Sequence, residues 1–217
     1  LVMLTQNSLI GVRDPYGIRP LVIGKLGKSY VLASETCALD IIGAKFVRVV
    51  ENGEIVLIEN EKLTSIKPFP LKKVRPCVFE YIYFARPDSI IDNKTAYEHR
   101  KNIGIELAKE NDVNADIVVP VPDSGNAAAL GFAQHLNMNY EHGLIRNHYV
   151  GRTFIEPSQK IRSLGVKLKL NANKTTIKDK KIILIDDSLV RGTTSHKIIK
   201  MLYDAGAKEV HMKIACP

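Results

Sequence analysis

The sequence predicts two folding units, an α+β unit followed by an α/β unit with a parallel sheet. Three observations lead to this prediction. Short apolar segments separated by glycine-containing turns fill the first third of the chain, a proline-rich stretch follows, and apolar strands then alternate with helical segments. The first pattern is typical of antiparallel sheets, and the last is typical of a parallel sheet covered by helices on both faces.

In the first third, the apolar segments Leu21–Ile23 and Tyr30–Ala33 are the first candidate strands. Two further apolar segments, Phe46–Val50 and Ile55–Ile58, flank the dipeptide Asn52-Gly53. Asn-Gly tolerates positive φ at both central positions of a type I′ turn. We therefore expect these two segments to form a β-hairpin.

A domain boundary is predicted between residues 75 and 76, which gives domains 1–75 and 76–217. Prolines recur between Lys62 and Pro76. Each proline removes a backbone donor from a β ladder and prevents a helix from continuing, so this stretch reads as a linker.

The second unit is predicted to alternate strands and helices. The predicted strands are Val78–Phe84, Asp116–Val121, Lys181–Ile185 and Glu209–Ala215, and the predicted helices are Ala96–Glu110, Asn126–Leu136 and Thr194–Asp204. The long connection from Asn147 to Thr176 has little periodicity, which indicates a lid, a binding loop or a disordered segment.

Charge and composition narrow the class of partner. The chain has 31 Lys and Arg against 23 Asp and Glu, a net charge of +8 that favours an anionic partner. Only 6% of residues are aromatic, and there is no zinc-finger spacing or Arg/Lys-rich helix. Nucleic acid is therefore a weaker expectation than a phosphorylated metabolite.

The cysteines and termini indicate a cytoplasmic fragment. Cys37, Cys77 and Cys216 are far apart and form no Cys-x-x-Cys pair, which suits a reducing compartment. No apolar stretch is long enough to span a bilayer, and no basic-then-apolar leader is present. Because the chain opens on Leu1 inside an apolar run and stops at Pro217 directly after a predicted strand, we expect an internal fragment.

The residues that follow the strand Lys181–Ile185 carry the main chemical signal. Asp186 and Asp187 come where the strand is expected to end, a short turn follows, and Thr193 and Thr194 begin a helix. Free N–H groups at the start of that helix suit a phosphate. The two carboxylates suit ribose hydroxyls or Mg²⁺. One strand-loop-helix unit is thus predicted to bind a sugar phosphate with its metal.

Each of these residues taken alone has a plainer interpretation. Asp187 or Ser188 could shape a turn and Thr193 could cap a helix, as these residue types often do. Their ordered combination after a fully apolar strand favours function. Gly27-Lys28-Ser29 is similar to the end of a phosphate-binding loop, but Val22 stands where that loop needs glycine, so a surface turn is predicted there.

The run Asp186–Thr194 with its preceding strand resembles the phosphoribosyl pyrophosphate-binding loop of type I phosphoribosyltransferases. Four further stretches narrow the resemblance to the glutamine phosphoribosylpyrophosphate amidotransferase family: Gly11–Leu21, Ala33–Asp40, Phe79–Ser89 and Asn147–Ile155. Members of this family catalyse the first committed step of purine synthesis. The resemblance extends over essentially the whole chain.

The resemblance implies part of an N-terminal-nucleophile glutaminase domain followed by a type I phosphoribosyltransferase domain. In the family, an N-terminal Cys releases ammonia from glutamine, and the second domain adds it to C1 of phosphoribosyl pyrophosphate, giving 5-phosphoribosylamine and pyrophosphate. Leu1 is not Cys, and Cys37 is internal and has no free α-amine to act as base. The chain itself is therefore expected to contain no catalytic nucleophile and not to use glutamine.

Site residues follow from the same match. The resemblance assigns phosphoribosyl pyrophosphate binding to the loop after the strand, at Asp186, Asp187, Ser188, Val190, Arg191, Gly192, Thr193 and Thr194. Arg152 and Lys167, on the loop Gly151–Asn171, match pyrophosphate contacts, although a solvated basic loop is the alternative. Ser124, directly after the strand that ends at Val121, would complete a Mg²⁺ site with Asp186 and Asp187.

Other expectations concern cofactors and partners. Cys77 matches the first of four ligands to a [4Fe–4S] cluster in one branch of the family, whereas a second branch keeps this Cys without a cluster. The remaining three ligands would fall beyond Pro217. The family further implies glutamine as a substrate, purine nucleotides as feedback inhibitors and a homo-oligomer, a tetramer, with no nucleic acid or membrane partner.

Two other functions stay open at this stage. One is a phosphoribosyltransferase that takes a free base, which would need a base-binding hood and would not need the Gly11–Leu21 region. The other is a regulator that senses phosphoribosyl pyrophosphate and binds DNA or RNA. Such a regulator should carry a helix-turn-helix or a basic face, whereas the first third here is predicted to be β-rich.

Overall fold

The structure is a computed structural model that describes residues 1–70, 72–148 and 169–216. It divides into two compact units, Leu1–Tyr97 and Glu98–Pro217. The described residues include no helix long and apolar enough to cross a membrane.

The first unit contains two antiparallel sheets. Its elements are β1 (Val2–Leu4), β2 (Leu9–Val12), β3 (Val22–Leu26), β4 (Ser29–Ala33), α1 (Thr36–Ile41), β5 (Lys45–Val49), β6 (Ile55–Glu59), β7 (Lys62–Ile66), a π-helical turn at Glu80–Phe84, β8 (Ile90–Ile91) and β9 (Lys94–Thr95). The strand orders are β1-β2-β6-β7 and β4-β3-β5, and β8 pairs with β9.

The two larger sheets of this unit bury apolar side chains between them. Ile23 of β3 and Val56 of β6 are fully buried, and both belong to one apolar cluster with Leu21 and Val50. On the other side of β3, Val22 packs with Leu39 of α1. Because successive side chains of a strand point to opposite faces, one face of β3 packs on the second sheet and the other packs on the helix.

The hairpin predicted around Asn52-Gly53 is wrong. The strand before it, β5, pairs with β3, whereas the strand after it, β6, pairs with β2 and β7. Of the two turn residues only Gly53 has a positive φ, +73°, so the turn is not type I′. Its N–H donates to Asp14 O at 3.1 Å, and the chain crosses here from one sheet to the other. Strong β propensity on both flanks is compatible with a hairpin and equally with two strands that join different sheets.

Tight hairpins occur at other positions. Asn60 and Glu61 have φ of +47° and +60° and join β6 to β7, with Glu59 paired to Lys62. Leu26 pairs with Ser29 across Gly27-Lys28, so the surface turn predicted at Gly27–Ser29 is confirmed.

The strand predicted at Val78–Phe84 is also wrong, because this segment forms the π-helical turn. The Glu80 carboxylate is buried and pairs with Arg19 Nε at 2.5 Å, and the Arg19 guanidinium lies 4.6 Å from the centre of the Phe84 ring. These contacts with a distant residue favour a turn over the extended form that the apolar sequence suggested.

Residues that follow the π-helical turn are held by the β4–α1 connection. Glu35 Oε2 accepts hydrogen bonds from Arg86 N and Ser89 Oγ, both at 2.7 Å, and Thr36 Oγ1 accepts one from Ile90 N at 2.8 Å. The first compact unit therefore extends beyond the proline-rich stretch. Compact units and domains need not share a boundary, so the boundary predicted after residue 75 stays a prediction.

The second unit is built on a parallel sheet. Its elements are α2 (Ala96–Lys109), β10 (Ile117–Pro120), α3 (Asn126–His135), β11 (Asn139–Tyr140), β12 (Leu144–Arg146), β13 (Leu170–Ala172), α4 (Lys174–Ile177), β14 (Lys181–Ser188), α5 (Thr193–Asp204) and β15 (Glu209–Cys216). The sheet order is β11-β10-β14-β15, all pairs parallel, and β12 pairs with β13.

Helices cover both faces of this sheet. Along β14, Ile182 and Leu184 pack in one apolar cluster with Ile198 of α5. Ile183 and Ile185 face the opposite side, in a cluster with Phe132 of α3. All four β14 side chains are fully buried, so the predicted α/β arrangement around this strand is confirmed.

An ion pair between a buried carboxylate and a partly exposed arginine stabilises the corner between β5 and β6. Glu54 is 1% exposed, and its carboxylate accepts hydrogen bonds from Arg48 Nη1 and Nη2 at 2.8 and 2.6 Å, from Ser65 Oγ at 2.5 Å and from Glu51 N at 2.6 Å. The Arg48 hydrogen bonds are the main cause that lowers the pKa of Glu54 from 4.5 to about 2. This carboxylate joins β5, β7 and the turn between β5 and β6.

We expect Glu54→Gln to lower the free energy of unfolding by about 2 kcal/mol at neutral pH, because it leaves Arg48 without its charged partner. Since the folded pKa of Glu54 lies below the ordinary value, the stabilisation is present above about pH 4.5 and is lost as the pH falls toward 2. Urea unfolding at several pH values measures it. Glu61→Gln, in the exposed β6–β7 turn, is the control, and a difference between Glu54→Gln and wild type that stays constant with pH would contradict the prediction.

Candidate functional site

The candidate site lies where β10 and β14 end side by side. Pro120 is opposite Ile185 in the parallel register, and Val121 N donates to Ile185 O at 2.8 Å. Parallel neighbours end at the same edge of a sheet, where open α/β sheets bind their ligands. The loop Pro122–Gly125 therefore lies next to the last residues of β14.

Gly125 brings the loop after β10 close to β14. A Cβ atom at this position would lie 2.4 Å from Ile185 O and 2.9 Å from Val121 O, both backbone atoms that cannot yield easily. Gly125 N also donates to Val121 O at 2.9 Å. The absence of a side chain thus sets the position of the adjacent Ser124, which is partly exposed.

The acidic pair lies inside β14 and not after it. The strand continues to Ser188, because β15 supplies backbone partners to the end: Asp186 is opposite Ile214 and Ser188 opposite Cys216. The expectation that the strand ends at Ile185 is therefore corrected. Two rigid strands hold the carboxylates, so their direction is fixed by the sheet.

The two carboxylates differ in environment. Asp187 is 8% exposed, and its Oδ2 is buried with no hydrogen-bond partner among the described residues. Asp186 is partly exposed, and its Oδ1 accepts a hydrogen bond from Asp187 N at 2.9 Å. Burial, and then the hydrogen bond and negative charge of Asp187, raises the pKa of Asp186 to about 7. Two carboxylates this close favour a cation or hydroxyl donors between them.

The start of α5 follows directly after this pair. Gly192 precedes the helix with φ +68°, a conformation that favours glycine, and no side chain caps the first turn. A Cβ at Gly192 would meet no atom of the described residues within 4 Å, so the protein itself does not crowd this position. Thr193 and Thr194 are exposed, as are Arg191 and Val190, the latter to 82%. The first N–H groups of α5 are therefore open to an anion.

The structure thus brings together most of the residues predicted from the sequence. Ser124 and the segment from Asp186 to Thr194 lie at one edge of one sheet. Their groups divide into carboxylates on the strand and hydroxyls with free N–H donors at the helix. Arg152 and Lys167, with most of the loop Gly151–Asn171, lie outside the described residues.

The cysteines form no metal centre in the described part of the chain. Cys77 belongs to the first compact unit, where its N–H donates to Ile18 O at 2.9 Å. Cys37 is buried, and burial raises the pKa of its thiol. Residues 1–70, 72–148 and 169–216 contain no group of three or more His, Cys, Asp or Glu side chains placed to hold a metal.

Two residues at this edge were not predicted from the sequence. Gly125 sets the approach of the loop to β14, and Asn126, the first residue of α3, has a buried Oδ1 with no hydrogen-bond partner among the described residues. The glycine after Ser124 was a usable signal, because a tight turn after a buried strand often needs one. Nothing in the sequence distinguishes Asn126 from an ordinary helix-starting residue.

No protein-family model matches the chain. Curated proteins do match it. An amidophosphoribosyltransferase of Rhizobium etli is 55% identical over 222 residues, covering 100% of this chain and 45% of that protein. Another, from Archaeoglobus fulgidus, is 48% identical over 217 residues, covering 100% of this chain and 48% of its own length. Over its whole length the chain is therefore similar to amidophosphoribosyltransferases.

Solved structures show the same similarity. A glutamine phosphoribosylpyrophosphate amidotransferase from B. subtilis, complexed with ADP and GMP, matches the whole chain with a TM-score of 0.90 and 49% identity, over 48% of its own length. A structure described as the allosteric regulatory enzyme of purine biosynthesis matches with a TM-score of 0.91 and 49% identity, over 46% of its length. The predicted fold class is confirmed, and the chain spans less than half the length of these amidophosphoribosyltransferases.

We expect Gly125→Ala to lower the free energy of unfolding by about 3 kcal/mol, at the upper end of ordinary overpacking, because its Cβ would overlap two backbone oxygens. Gly192→Ala, which meets no atom but requires a left-handed alanine, should lower it by only about 1 kcal/mol. Urea unfolding of both variants tests this. Equal losses would mean that close packing at Gly125 does not constrain the loop.

Proposed function

We propose that this chain supplies the phosphoribosyl pyrophosphate site of an amidophosphoribosyltransferase, an enzyme that makes 5-phosphoribosylamine at the start of purine synthesis. The observation that carries the proposal is the succession of Asp186 and Asp187 on β14 and the uncapped start of α5. A phosphorylated sugar needs hydroxyl acceptors at one end and phosphate donors at the other. This strand-loop-helix offers both in that order.

In this proposal the ligand lies along the loop from β14 to α5. The acidic pair of Asp186 and Asp187 lies beside the ribose, where its oxygens can accept a hydrogen bond from a ribose hydroxyl or hold the metal. The 5′-phosphate binds the N–H groups and hydroxyls of the first turn of α5, at Thr193 and Thr194, with the loop residues Ser188, Val190, Arg191 and Gly192 beside it. Arg152 and Lys167 are proposed contacts of the pyrophosphate group, since departing negative charge needs cationic stabilisation.

The same edge of the sheet fits a magnesium ion. Mg²⁺ prefers oxygen ligands and usually shares them with substrate phosphates. Asp186, Asp187 and the Ser124 hydroxyl offer such oxygens, and the buried Oδ2 of Asp187 has no partner among the described residues. When bound, the ion would neutralise negative charge on the pyrophosphate. Ser124, Asp186 and Asp187 are the residues proposed to hold it.

The reaction then depends on orientation. The ribose is fixed at its hydroxyls by the β14 carboxylates and at its phosphate by α5, which leaves C1 as the reacting atom. Ammonia forms the new C–N bond at C1, the C–O bond to pyrophosphate breaks, and the amine loses a proton. Because both ends of the sugar are held, C1 is aligned with the attacking ammonia and the departing pyrophosphate, which lowers the entropic cost of the displacement.

The complete protein is proposed to obtain ammonia from glutamine at a Cys nucleophile of its glutaminase domain. Purine nucleotides are proposed feedback inhibitors, which the B. subtilis relative supports because its structure holds ADP and GMP. A homo-oligomer and a cytoplasmic location follow from the same family. A [4Fe–4S] cluster stays a proposal for the complete protein, in which Cys77 would be one of four thiolate ligands.

We expect the complete protein to release pyrophosphate from phosphoribosyl pyrophosphate, with Mg²⁺ and ammonium at alkaline pH, and Asp186→Asn and Asp187→Asn to slow this release about 100-fold. Asp204→Asn, at the exposed end of α5, is the matched control and should leave the rate unchanged. Wild type that releases pyrophosphate only when a free purine or pyrimidine base is added would point instead to the base-using phosphoribosyltransferase. Wild type that binds the ligand without turnover would favour a sensor.

Mg²⁺ binding in the presence of phosphoribosyl pyrophosphate should strengthen about tenfold as the pH rises from about 6 to about 8. The reason is that Asp186, with its pKa raised to about 7, must lose a proton before it can bind the ion. Calorimetric titration in buffers of different ionisation enthalpy should show roughly half a proton released per ion at about pH 7. Binding that releases no proton at that pH would remove Asp186 from the metal site.

A further inference from the structure

Two buried oxygens at the candidate site lack hydrogen-bond partners among the described residues. One is Oδ2 of Asp187, and the other is Oδ1 of Asn126. A buried acceptor without a donor destabilises the fold, and such atoms in native structures usually meet a ligand, an ion or an ordered water. Asp187 belongs to the site proposed above, whereas no role has been assigned to Asn126.

The topology places these two residues at the same end and on the same face of the sheet. Side chains alternate along β14, so Asp187 projects to the face of Ile183 and Ile185, which is the face covered by α3. Asn126 is the first residue of α3 and directly follows Gly125, where an added Cβ would lie 2.4 Å from Ile185 O. Ile185 and Asp187 are two positions apart on one strand, about 7 Å. Asn126 is therefore placed at the same end and on the same face of the sheet as Asp187.

The chemistry of the pair selects the kind of group that can satisfy both oxygens. An amide Oδ1 and a carboxylate Oδ2 are both acceptors, so the group that satisfies them is a cation or a hydrogen-bond donor. A phosphate has no suitable donor and would be repelled by Asp187. Vicinal hydroxyls are neutral and can donate one hydrogen bond to each oxygen, and the ribose of a phosphoribosyl ligand carries such a pair. An asparagine here supplies the second acceptor without adding a third negative charge to Asp186 and Asp187.

We propose that Asn126 is a specificity-determining residue of this site, whose Oδ1 accepts a hydrogen bond from one ribose hydroxyl while Asp187 accepts one from the other. The inference rests on the proposed function, because it takes phosphoribosyl pyrophosphate as the ligand. It extends that function by giving the start of α3 a part in recognising the sugar. Ligands without the ribose gain nothing from Asn126.

The test compares a ligand that contains ribose with one that does not. Binding of phosphoribosyl pyrophosphate and of pyrophosphate, each with Mg²⁺, is measured by calorimetry on the complete protein that carries this sequence. Asn126→Leu, which keeps the approximate size and removes the acceptor, should weaken phosphoribosyl pyrophosphate binding about tenfold and leave pyrophosphate binding unchanged. Asn102→Leu, at an exposed position of α2, is the control and should change neither.

The outcomes separate this inference from the function on which it rests. Wild type that binds no phosphoribosyl pyrophosphate overturns the proposed function itself. If wild type and Asn126→Leu bind phosphoribosyl pyrophosphate equally well, only the role of Asn126 is overturned. If Asn126→Leu loses the same affinity for phosphoribosyl pyrophosphate and for pyrophosphate, that role is also overturned, because the substitution then acts through the metal or the fold. The ligand-free variant should unfold at a temperature no lower than wild type, because an unpaired buried oxygen has been removed. Asn126→Ala allows the same comparison if the leucine variant does not fold.

Discussion

The parallel pairing of β10 with β14 is the constraint on which the candidate site depends. It sets Pro120 opposite Ile185 and joins Val121 N to Ile185 O, so both strands reach the same edge of the sheet. Residues more than sixty positions apart in sequence then become neighbours. Gly125 completes the arrangement, because only a residue without a side chain fits against the backbone oxygens of both strands. Ser124 and the acidic pair lie at the same edge of the sheet because of this backbone geometry.

At the sheet edge where β10 and β14 end, the groups proposed to bind the ligand lower the stability of the free protein. The apolar residues of β14 are fully buried and form a rigid support, whereas the polar residues that follow are poorly satisfied in the free protein. Asp186 sits beside a second carboxylate, Asp187 and Asn126 each have an oxygen without a partner among the described residues, and no side chain caps α5. The proposed ligand, with hydroxyls at one end and a phosphate at the other, would satisfy these groups together. Such local deficits are expected where a fold gives up stability for binding.

The hairpin and the strand that were wrongly predicted in the first unit have one physical cause in common. The segments around Asn52-Gly53 and the segment Val78–Phe84 all have strong β propensity, and propensity does not specify the partner. In the structure β5 and β6 join different sheets, with Val50 and Val56 buried on either side of the turn. The later segment becomes a helical turn because Glu80 pairs with Arg19, far away along the chain. Neither the strand pairing of β5 and β6 nor the Glu80–Arg19 ion pair can be read from the local sequence pattern.

The sequence by itself determined the alternation of strands and helices in the second unit, the strand-loop-helix with its acidic pair, and the helix start at which phosphate binding is proposed. These depend on residues that are close together in the chain, so period and residue type were sufficient. Only the tertiary structure decided that β14 runs on through Asp186 and Asp187, that Gly125 holds the loop of Ser124 against that strand, and that Asn126 brings a buried oxygen to the same place. Each of these features arises from a neighbouring strand or helix, and a linear sequence does not state which strands become neighbours.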